Sequence, residues 1–254
     1  MEFTFEQYKK IVESFRKRGY EIKRVKDFIS SESSSCLVLR HDVDRFPGQS
    51  LKMAQIEKEL GVCSTYYFRI KRSVFKEHII KEIAGMGHEI GYHYDDLSSA
   101  MGNYNKAIRL FERNLEKLRL IYPVETICMH GSPVSPWNNK DLWKKYDYKN
   151  FGIKADLFYD FDYDDVFYIT DNGFGWNKFN TSVRDKVKTS YYIRIKNTQH
   201  LIELINNGKF PPKVLLNAHP DTFFEPGIRW FFNYLFIKTK NPFKRFIIKT
   251  GIIK

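Results

Sequence analysis

The chain has 254 residues, of which 43% are hydrophobic and 28% charged, with a net charge of +12. These values exclude a disordered chain and fit one globular domain over residues 1–254, with a core at about 36–222. No apolar run reaches the roughly 18 residues of a membrane-spanning helix. The first residues have neither the basic start nor the apolar centre of a signal peptide. We therefore expect a cytoplasmic protein.

Helical patterns and short apolar segments alternate along the chain. Residues with helical apolar spacing are separated by strand-like runs, of which Cys36–Val43 is the clearest. Such alternation predicts an α/β fold with a parallel sheet. The predicted helices are Thr4–Arg18, Gln49–Leu60, Ser73–Ala84, Asn105–Leu118, a segment beginning at Asp141–Tyr146, and Thr198–Ile205.

Two carboxylates follow the first long apolar strand. Asp42 and Asp44 are two residues apart, so in an extended chain they point the same way. A divalent cation would offset the repulsion between them. The alternative is an aspartate-rich turn in which Arg40 and Arg45 are salt-bridge partners.

Three of the seven histidines stand where a predicted strand ends. His93 follows the glycine-rich segment around Gly91, His130 follows Ile127–Met129, and His219 follows Val214–Ala218. The carboxyl ends of parallel strands meet at one edge of a sheet, where α/β enzymes carry their catalytic groups. Together with the paired aspartates, these histidines indicate one site built by several strands.

Four segments resemble the polysaccharide deacetylases, also called NodB-homology carbohydrate esterases. They are Asp42–Asp44, Gly61–Phe68, Gly87–His93 and Leu216–His219, and they occur in that family's order and spacing over most of the chain. The resemblance implies a distorted (β/α) barrel with a divalent metal at the carboxyl ends of its strands. That metal is usually Zn²⁺, with Co²⁺ or Ni²⁺ as alternatives.

The resemblance also implies roles for individual residues. Asp42 would be the general base, Asp44 and His93 metal ligands, and His219 the general acid. The family places another metal histidine four residues after the first, but that position is Leu97 here. We expect His130 to supply the missing ligand, since open zinc sites normally have three protein ligands. Alternatively, His130 contacts the substrate in place of a family arginine, with Asp95 and Asp96 as further candidate ligands.

Four other residues are candidate substrate contacts. Arg40 flanks the expected base, and Tyr67 lies where a backbone N–H could stabilise an oxyanion. Asp171 and Trp176 flank a glycine-rich turn, and aromatic rings beside polar groups suit sugars. The alternatives are a salt-bridged arginine and a hairpin with a buried tryptophan.

The expected function is that of a metal-dependent hydrolase removing an N-acetyl group from an amino sugar in surface-polysaccharide biosynthesis. An amidohydrolase of small non-sugar amides and a glycan-binding pseudoenzyme are the alternatives. The expected substrate is an acetylated amino sugar, a sugar nucleotide or a lipid-linked glycan, and the anionic ones among these would suit the positive charge of the chain. No nucleic-acid module is recognisable, so we expect no nucleic-acid partner.

The last segment, residues 230–254, is aromatic and basic. Trp230–Ile237 is apolar but too short to span a bilayer, and lysines and an arginine follow it. It fits either a final barrel helix over Gly227–Ile237 with a solvated tail, or a peripheral contact with the inner face of the membrane. Cys36, Cys63 and Cys128 lack metal-site spacing, and we expect free thiols.

Overall fold

A curled parallel sheet forms the centre of the protein. The computed structural model describes residues 1–31, 33–132, 135–177 and 187–250, with side chains up to residue 239. Seven strands lie in the order β6-β5-β4-β3-β2-β8-β7, and β1 pairs beside the first half of β2. The strands are β1 Glu21–Lys23, β2 Cys36–Val43, β3 Thr65–Phe68, β4 Glu89–Tyr94, β5 Thr126–Met129, β6 Ala155–Asp156, β7 Phe167–Thr170 and β8 Lys213–Asn217.

Helices cover the outside of this sheet. They are α1 Phe5–Lys17, α2 Val25–Ser30, α3 Pro47–Glu59, α4 Glu77–Gly85, α5 Asp96–Ser99, α6 Tyr104–Arg119, α7 Thr198–Asn206 and α8 Ile228–Thr250. Every strand pair is parallel, and among the described residues the edge strands β6 and β7 do not pair with each other. The expected α/β fold, a distorted (β/α) barrel, is confirmed.

The helix predictions hold with three corrections. The last helix, predicted to end at Ile237 before a solvated tail, continues as α8 to Thr250. The segment predicted to start at Ser73 becomes helical only at Glu77, where α4 begins. The segment at Asp141–Tyr146 forms a short 3-10 turn over Asn139–Lys144 rather than an α-helix. Asp147 accepts a hydrogen bond from the Lys149 N–H and starts a second 3-10 turn, so too few residues remain for α-helical hydrogen bonding.

Strand alternation divides the core into an inner and an outer region. In β2 every residue is buried. Its side chains alternate between the barrel interior, shared with Tyr67, Cys128 and Leu215, and the layer beneath the helices. The inward series is Cys36, Val38, Arg40 and Asp42, and the outward series is Leu37, Leu39, His41 and Val43.

Crowding in the barrel interior explains why position 91 is a glycine. A Cβ on Gly91 of β4 would lie 2.2 Å from the Tyr67 ring, so a larger residue would displace that ring. Gly91 precedes His93 by two residues and therefore shares its face of the strand. The Tyr67 ring thus fills the interior beneath the carboxyl ends of the strands.

Within the described residues, no helix combines the length and the apolar character needed to cross a membrane.

Candidate metal centre and active site

The inward-facing side chains of neighbouring strands converge at the carboxyl end of the sheet. Arg40 of β2 is in register with Asn217 of β8, and His93 of β4 with Cys128 of β5. Because parallel strands end at the same edge, these residues and Asp42 share one interior space. The structure brings the side chains of five predicted site residues close together at this edge, namely Asp42, Asp44, His93, His130 and His219.

Asp42 is held as a carboxylate by Arg40. The guanidinium Nε and Nη2 donate to Oδ1 and Oδ2 at 2.9 and 2.6 Å, and the Asn217 amide donates to Oδ2 at 3.1 Å. Burial alone would raise the pKa of Asp42, but Arg40 and, secondarily, His93 lower it well below its usual value. Asp42 is therefore ionised at neutral pH and can accept a proton.

Asp44 faces two imidazole rings. Its Oδ1 lies 3.6 Å from His93 Nε2 and 3.4 Å from His130 Nε2, and the rings are nearly perpendicular with centroids 5.3 Å apart. This oxygen is buried, and no hydrogen bond to it exists within the described residues. Burial opposes its charge, yet His130, His93 and Arg69 lower the pKa of Asp44 well below its ordinary value. The Arg69 Nη1 lies 3.8 Å from the same oxygen, within ion-pair range but beyond hydrogen-bond distance. The acceptor position between the two imidazoles is therefore available to a cation.

His93 has the protonation state that a metal ligand requires. Its Nδ1 lies 3.0 Å from the Cys128 carbonyl and donates to it, which leaves the Nε2 lone pair facing Asp44. Burial lowers the pKa of His93 to about 4, even though Asp42 and Asp44 raise it, so the ring is neutral at pH 7.

His130 is oriented differently. Its Nδ1 lies 3.1 Å from the Ser132 backbone nitrogen and 3.0 Å from the Ser132 hydroxyl, and its Nε2 lies 3.4 Å from Asp44 Oδ1. Ligation through Nε2 requires the ring proton to be on Nδ1, where the Ser132 hydroxyl can accept it in place of the contact with the backbone N–H. His93 is thus prepared for ligation, whereas ligation by His130 requires its contacts with Ser132 to rearrange.

The donor set fits a divalent metal. Carboxylate and neutral imidazole are ordinary ligands of Zn²⁺, Co²⁺ and Ni²⁺, and Asp44 with His93 offers one of each. A second possible ligand set is Asp42, His93 and Cys128, because one ligand atom of each lies within 4.8 Å of the other two. Sequence reasoning treated Cys128 only as a buried thiol. Its position directly beside His93 in the β4–β5 register is the signal that only the fold provides.

His219 lies on the other side of Asp42, with its Nε2 3.9 Å from Asp42 Oδ2. Asp171, expected to contact substrate, instead holds this ring: its Oδ1 accepts from His219 Nδ1 at 2.5 Å and from the backbone N–H at 3.2 Å. Burial opposes protonation, but Asp171 and Asp42 outweigh it and raise the pKa of His219 to about 10. The ring is cationic at neutral pH, with one N–H at Nε2 directed into the site.

The other candidate ligands lie outside this arrangement. Leu97 of α5 is 2% exposed and packs in the core, so no ligand occupies the position that the family gives to a second histidine. Asp95 pairs with Arg69 and Lys71. Both oxygens of buried Asp96 accept from the Tyr92 hydroxyl, and the Asn114 amide also donates to one of them.

Three predicted substrate contacts have buried side chains. Arg40 is 1% exposed and occupied by Asp42. Tyr67 packs in the interior with its hydroxyl bonded to Thr126, and Trp176 donates to Thr198 Oγ1 in a core with Phe3. The structure therefore groups Arg40 with the base and the Trp176 side chain with the fold around the site. The oxyanion donor expected near Tyr67 is a backbone N–H, and it stays a prediction because the burial of the ring does not test it.

A second polar cluster lies on the outer face of β2, and the sequence did not reveal it. It centres on Glu57 of α3, which is completely buried. Four donors surround this carboxylate, two on each oxygen: the Tyr8 hydroxyl and His41 Nε2 on Oε1, and the Ser64 and Tyr66 hydroxyls on Oε2. His41 Nδ1 donates to the Ala218 carbonyl at 2.8 Å, which ties the cluster to the residue preceding His219.

Comparisons with known proteins add a fold likeness. No family model matches the chain, and no curated protein matches its sequence. A CE4 esterase from Streptococcus mutans is 12% identical with a TM-score of 0.48, and the match covers 92% of this chain and 90% of that one. The Xyl-CE4 domain of a multidomain xylanase from the hindgut metagenome of Trinervitermes trinervoides is 13% identical with a TM-score of 0.42, covering 82% and 85%.

A third solved structure, a mutant of a CE4-family pseudoenzyme with restored enzymatic activity, is 12% identical with a TM-score of 0.40, covering 84% of this chain and 65% of that one. All three are described as CE4 proteins. At these identities and scores the likeness concerns the fold, and the function is argued from the side chains of the site.

Proposed function

We propose that the protein is a metal-dependent hydrolase that removes an acetyl group from the nitrogen of an amino sugar. One observation carries the proposal: the buried Asp44 Oδ1 lacks a hydrogen bond within the described residues, while two imidazole nitrogens face it within 3.6 Å. Asp44 and His93 would hold the metal, with His130 or Cys128 completing the set. When bound, a divalent metal polarises a carbonyl and lowers the pKa of water.

The chain's own groups supply a base and an acid. Asp42 is ionised because Arg40 stabilises the carboxylate, so its Oδ2 can accept a proton from the attacking water. His219 is protonated because Asp171 stabilises the cation, so its Nε2 can donate a proton to the departing amine nitrogen. Two neighbouring groups with opposite protonation states at one pH are a typical acid–base pair.

The same salt bridge limits the base. A carboxylate with a strongly lowered pKa is a weak proton acceptor, so Asp42 needs a water that is already acidified. This requirement agrees with a neighbouring divalent metal, and the amino-sugar substrate itself is supported by the motif resemblance around Asp42, His93 and His219.

The test measures metal and product on the same protein. The protein is purified, reconstituted with Zn²⁺, Co²⁺ or Ni²⁺, and analysed for bound metal. The same preparation is then incubated with N-acetylglucosamine oligomers while acetate release is followed. We expect about one metal per chain and release of acetate that chelation abolishes. Chain that binds no metal would favour a glycan-binding pseudoenzyme. Metal-dependent activity confined to small non-sugar amides would favour an amidohydrolase.

A further inference from the structure

Helix α8 carries an exposed apolar stripe. Its members and their exposed fractions are Ile228 72%, Phe231 50%, Phe232 61%, Leu235 40% and Phe236 47%. The spacing of three and four residues places all of them on one face of the helix. Five large apolar side chains in one continuous row are more than the scattered exposed residues of an ordinary surface.

The opposite face of α8 packs against the rest of the protein, so the stripe faces outward. The Trp230 indole donates to the Glu2 carbonyl at 2.7 Å, and the Asn233 amide donates to the Asp221 carbonyl at 2.9 Å. Tyr234 stacks on Trp230 with ring centroids 5.2 Å apart and meets Phe174 at 5.5 Å. The helix is therefore held by one face, and the apolar stripe is exposed on the other, with Phe236 at its edge beside Arg45.

The charge of this region identifies what the stripe fits. The last acidic residue of the chain is Glu225, and the 29 residues after it hold seven basic side chains. These are Arg229, Lys238, Lys240, Lys244, Arg245, Lys249 and Lys254. In the sequence, apolar residues recur at the same helical spacing in the segment beyond the described side chains, at Phe243, Phe246 and Ile247. A second copy of the chain would bring seven like charges against these seven, which disfavours self-association.

We propose that α8 is a peripheral docking helix for an anionic lipid bilayer. Its aromatic stripe would enter the headgroup boundary while the flanking lysines and arginines contact lipid phosphates. A row of large exposed apolar side chains, in a segment whose sequence is basic and contains no acid, is typical of an interfacial helix rather than of a transmembrane one.

The docking helix lies beside the candidate active site. The Arg45 guanidinium lies 4.9 Å from the Phe236 ring and 5.2 Å from the exposed Phe46 ring, and its Nε donates to Asp221 Oδ2 at 2.6 Å. Asp221 follows His219 by two residues. Bilayer docking would thus hold the site against the lipid surface, where an acylated sugar on a lipid carrier could reach it. This last consequence rests on the proposed function.

Vesicle sedimentation tests the docking without any substrate. Full-length protein is mixed with vesicles of phosphatidylglycerol and phosphatidylcholine, or of phosphatidylcholine alone, at low and high salt. The matched variants are F231S/F232S on the stripe and M101S/L120S, whose parent side chains are 70% and 87% exposed elsewhere. We expect binding to the anionic vesicles that high salt weakens, and an affinity about tenfold or more lower for F231S/F232S only.

Equal sedimentation of wild type and F231S/F232S would overturn the proposal. So would binding to phosphatidylcholine as strong as binding to the anionic vesicles. Light scattering checks the alternative occupant: a wild-type dimer that F231S/F232S dissociates, with no vesicle binding, would assign the stripe to a second copy. Melting temperatures and acetate release from a soluble substrate show whether the variants are folded. Because sedimentation needs no catalysis, its result is independent of the proposed function.

Discussion

The two faces of β2 carry two carboxylate–histidine clusters with opposite character. On the outer face, Glu57 has four hydrogen-bond donors, two on each oxygen. On the inner face, Asp44 has an oxygen without a hydrogen bond from any described residue, although two imidazole nitrogens are near. Both carboxylates are close to histidines, so residue types alone do not distinguish the clusters.

The difference is in hydrogen-bond satisfaction. A buried carboxylate whose acceptor positions are filled by protein donors stabilises the fold and has little affinity for a further cation. A buried carboxylate with an unfilled position is a candidate ligand. We therefore interpret the Glu57 cluster as structural and the Asp44 cluster as functional, and four changes test this division.

The largest effect should follow the change Asp42→Asn. Removing the base without removing the ligands Asp44 and His93 should lower kcat by about 10²–10⁴-fold while bound metal is retained. Acetate release and metal content are measured on the same preparation. Because this substitution leaves the buried Arg40 unpaired, the double variant Arg40→Met, Asp42→Asn is the control for folding. Full activity in either variant would remove Asp42 from the mechanism.

The next effect concerns the ligand oxygen. Asp44→Asn keeps the side-chain shape but removes the buried charge, so metal affinity should fall by roughly 100-fold or more, beyond the 10–100-fold that supporting groups contribute. Competition with a chelator measures it. Asp96→Asn is the matched control, because the Tyr92 hydroxyl bonds both of its oxygens. If both variants bind metal equally well, the missing hydrogen bond at Asp44 does not mark a ligand.

The outer cluster should respond in stability rather than in metal binding. Burial raises the pKa of Glu57, but His41 and His88 outweigh it and lower the pKa from 4.5 to about 2. A lowered carboxyl pKa stabilises the fold above about pH 4.5, and this stabilisation is lost as the pH falls toward 2. Glu57→Gln should cost about 3 kcal/mol of unfolding free energy at neutral pH and flatten the acid dependence below pH 4.5.

Denaturant unfolding at a series of pH values measures this change. Metal affinity of Glu57→Gln should equal that of the wild type when both are folded. A variant that loses metal without losing stability would break the division between the two clusters, and would make Glu57 part of the site.

Much of the inner cluster could be predicted from the sequence, because local patterns show where strands end. Asp42, Asp44, His93, His130 and His219 each follow an apolar run, and period-two alternation put both aspartates on one face. Contacts between residues far apart in the chain could not be predicted from local patterns. Tyr8 and Glu57 are 49 residues apart in sequence, and Cys128 lies beside His93 only because β4 pairs with β5. The burial of Trp176 likewise depends on packing with Phe3, which the turn around Gly173 does not reveal.

The smallest change should be a shift in pH dependence. Burial lowers the pKa of His219, but Asp171 outweighs this effect and raises the pKa to about 10. We therefore expect activity to fall only as the pH rises through that value. Asp171→Asn removes the main stabilising charge and should move the alkaline limb of kcat down by roughly 1–3 pH units. Asp165→Asn, an exposed aspartate paired with Lys213, is the control and should leave the limb unchanged. If the alkaline limb stays in place in Asp171→Asn, His219 is not the proton donor, because this substitution removes the charge that its Nδ1 hydrogen bond depends on.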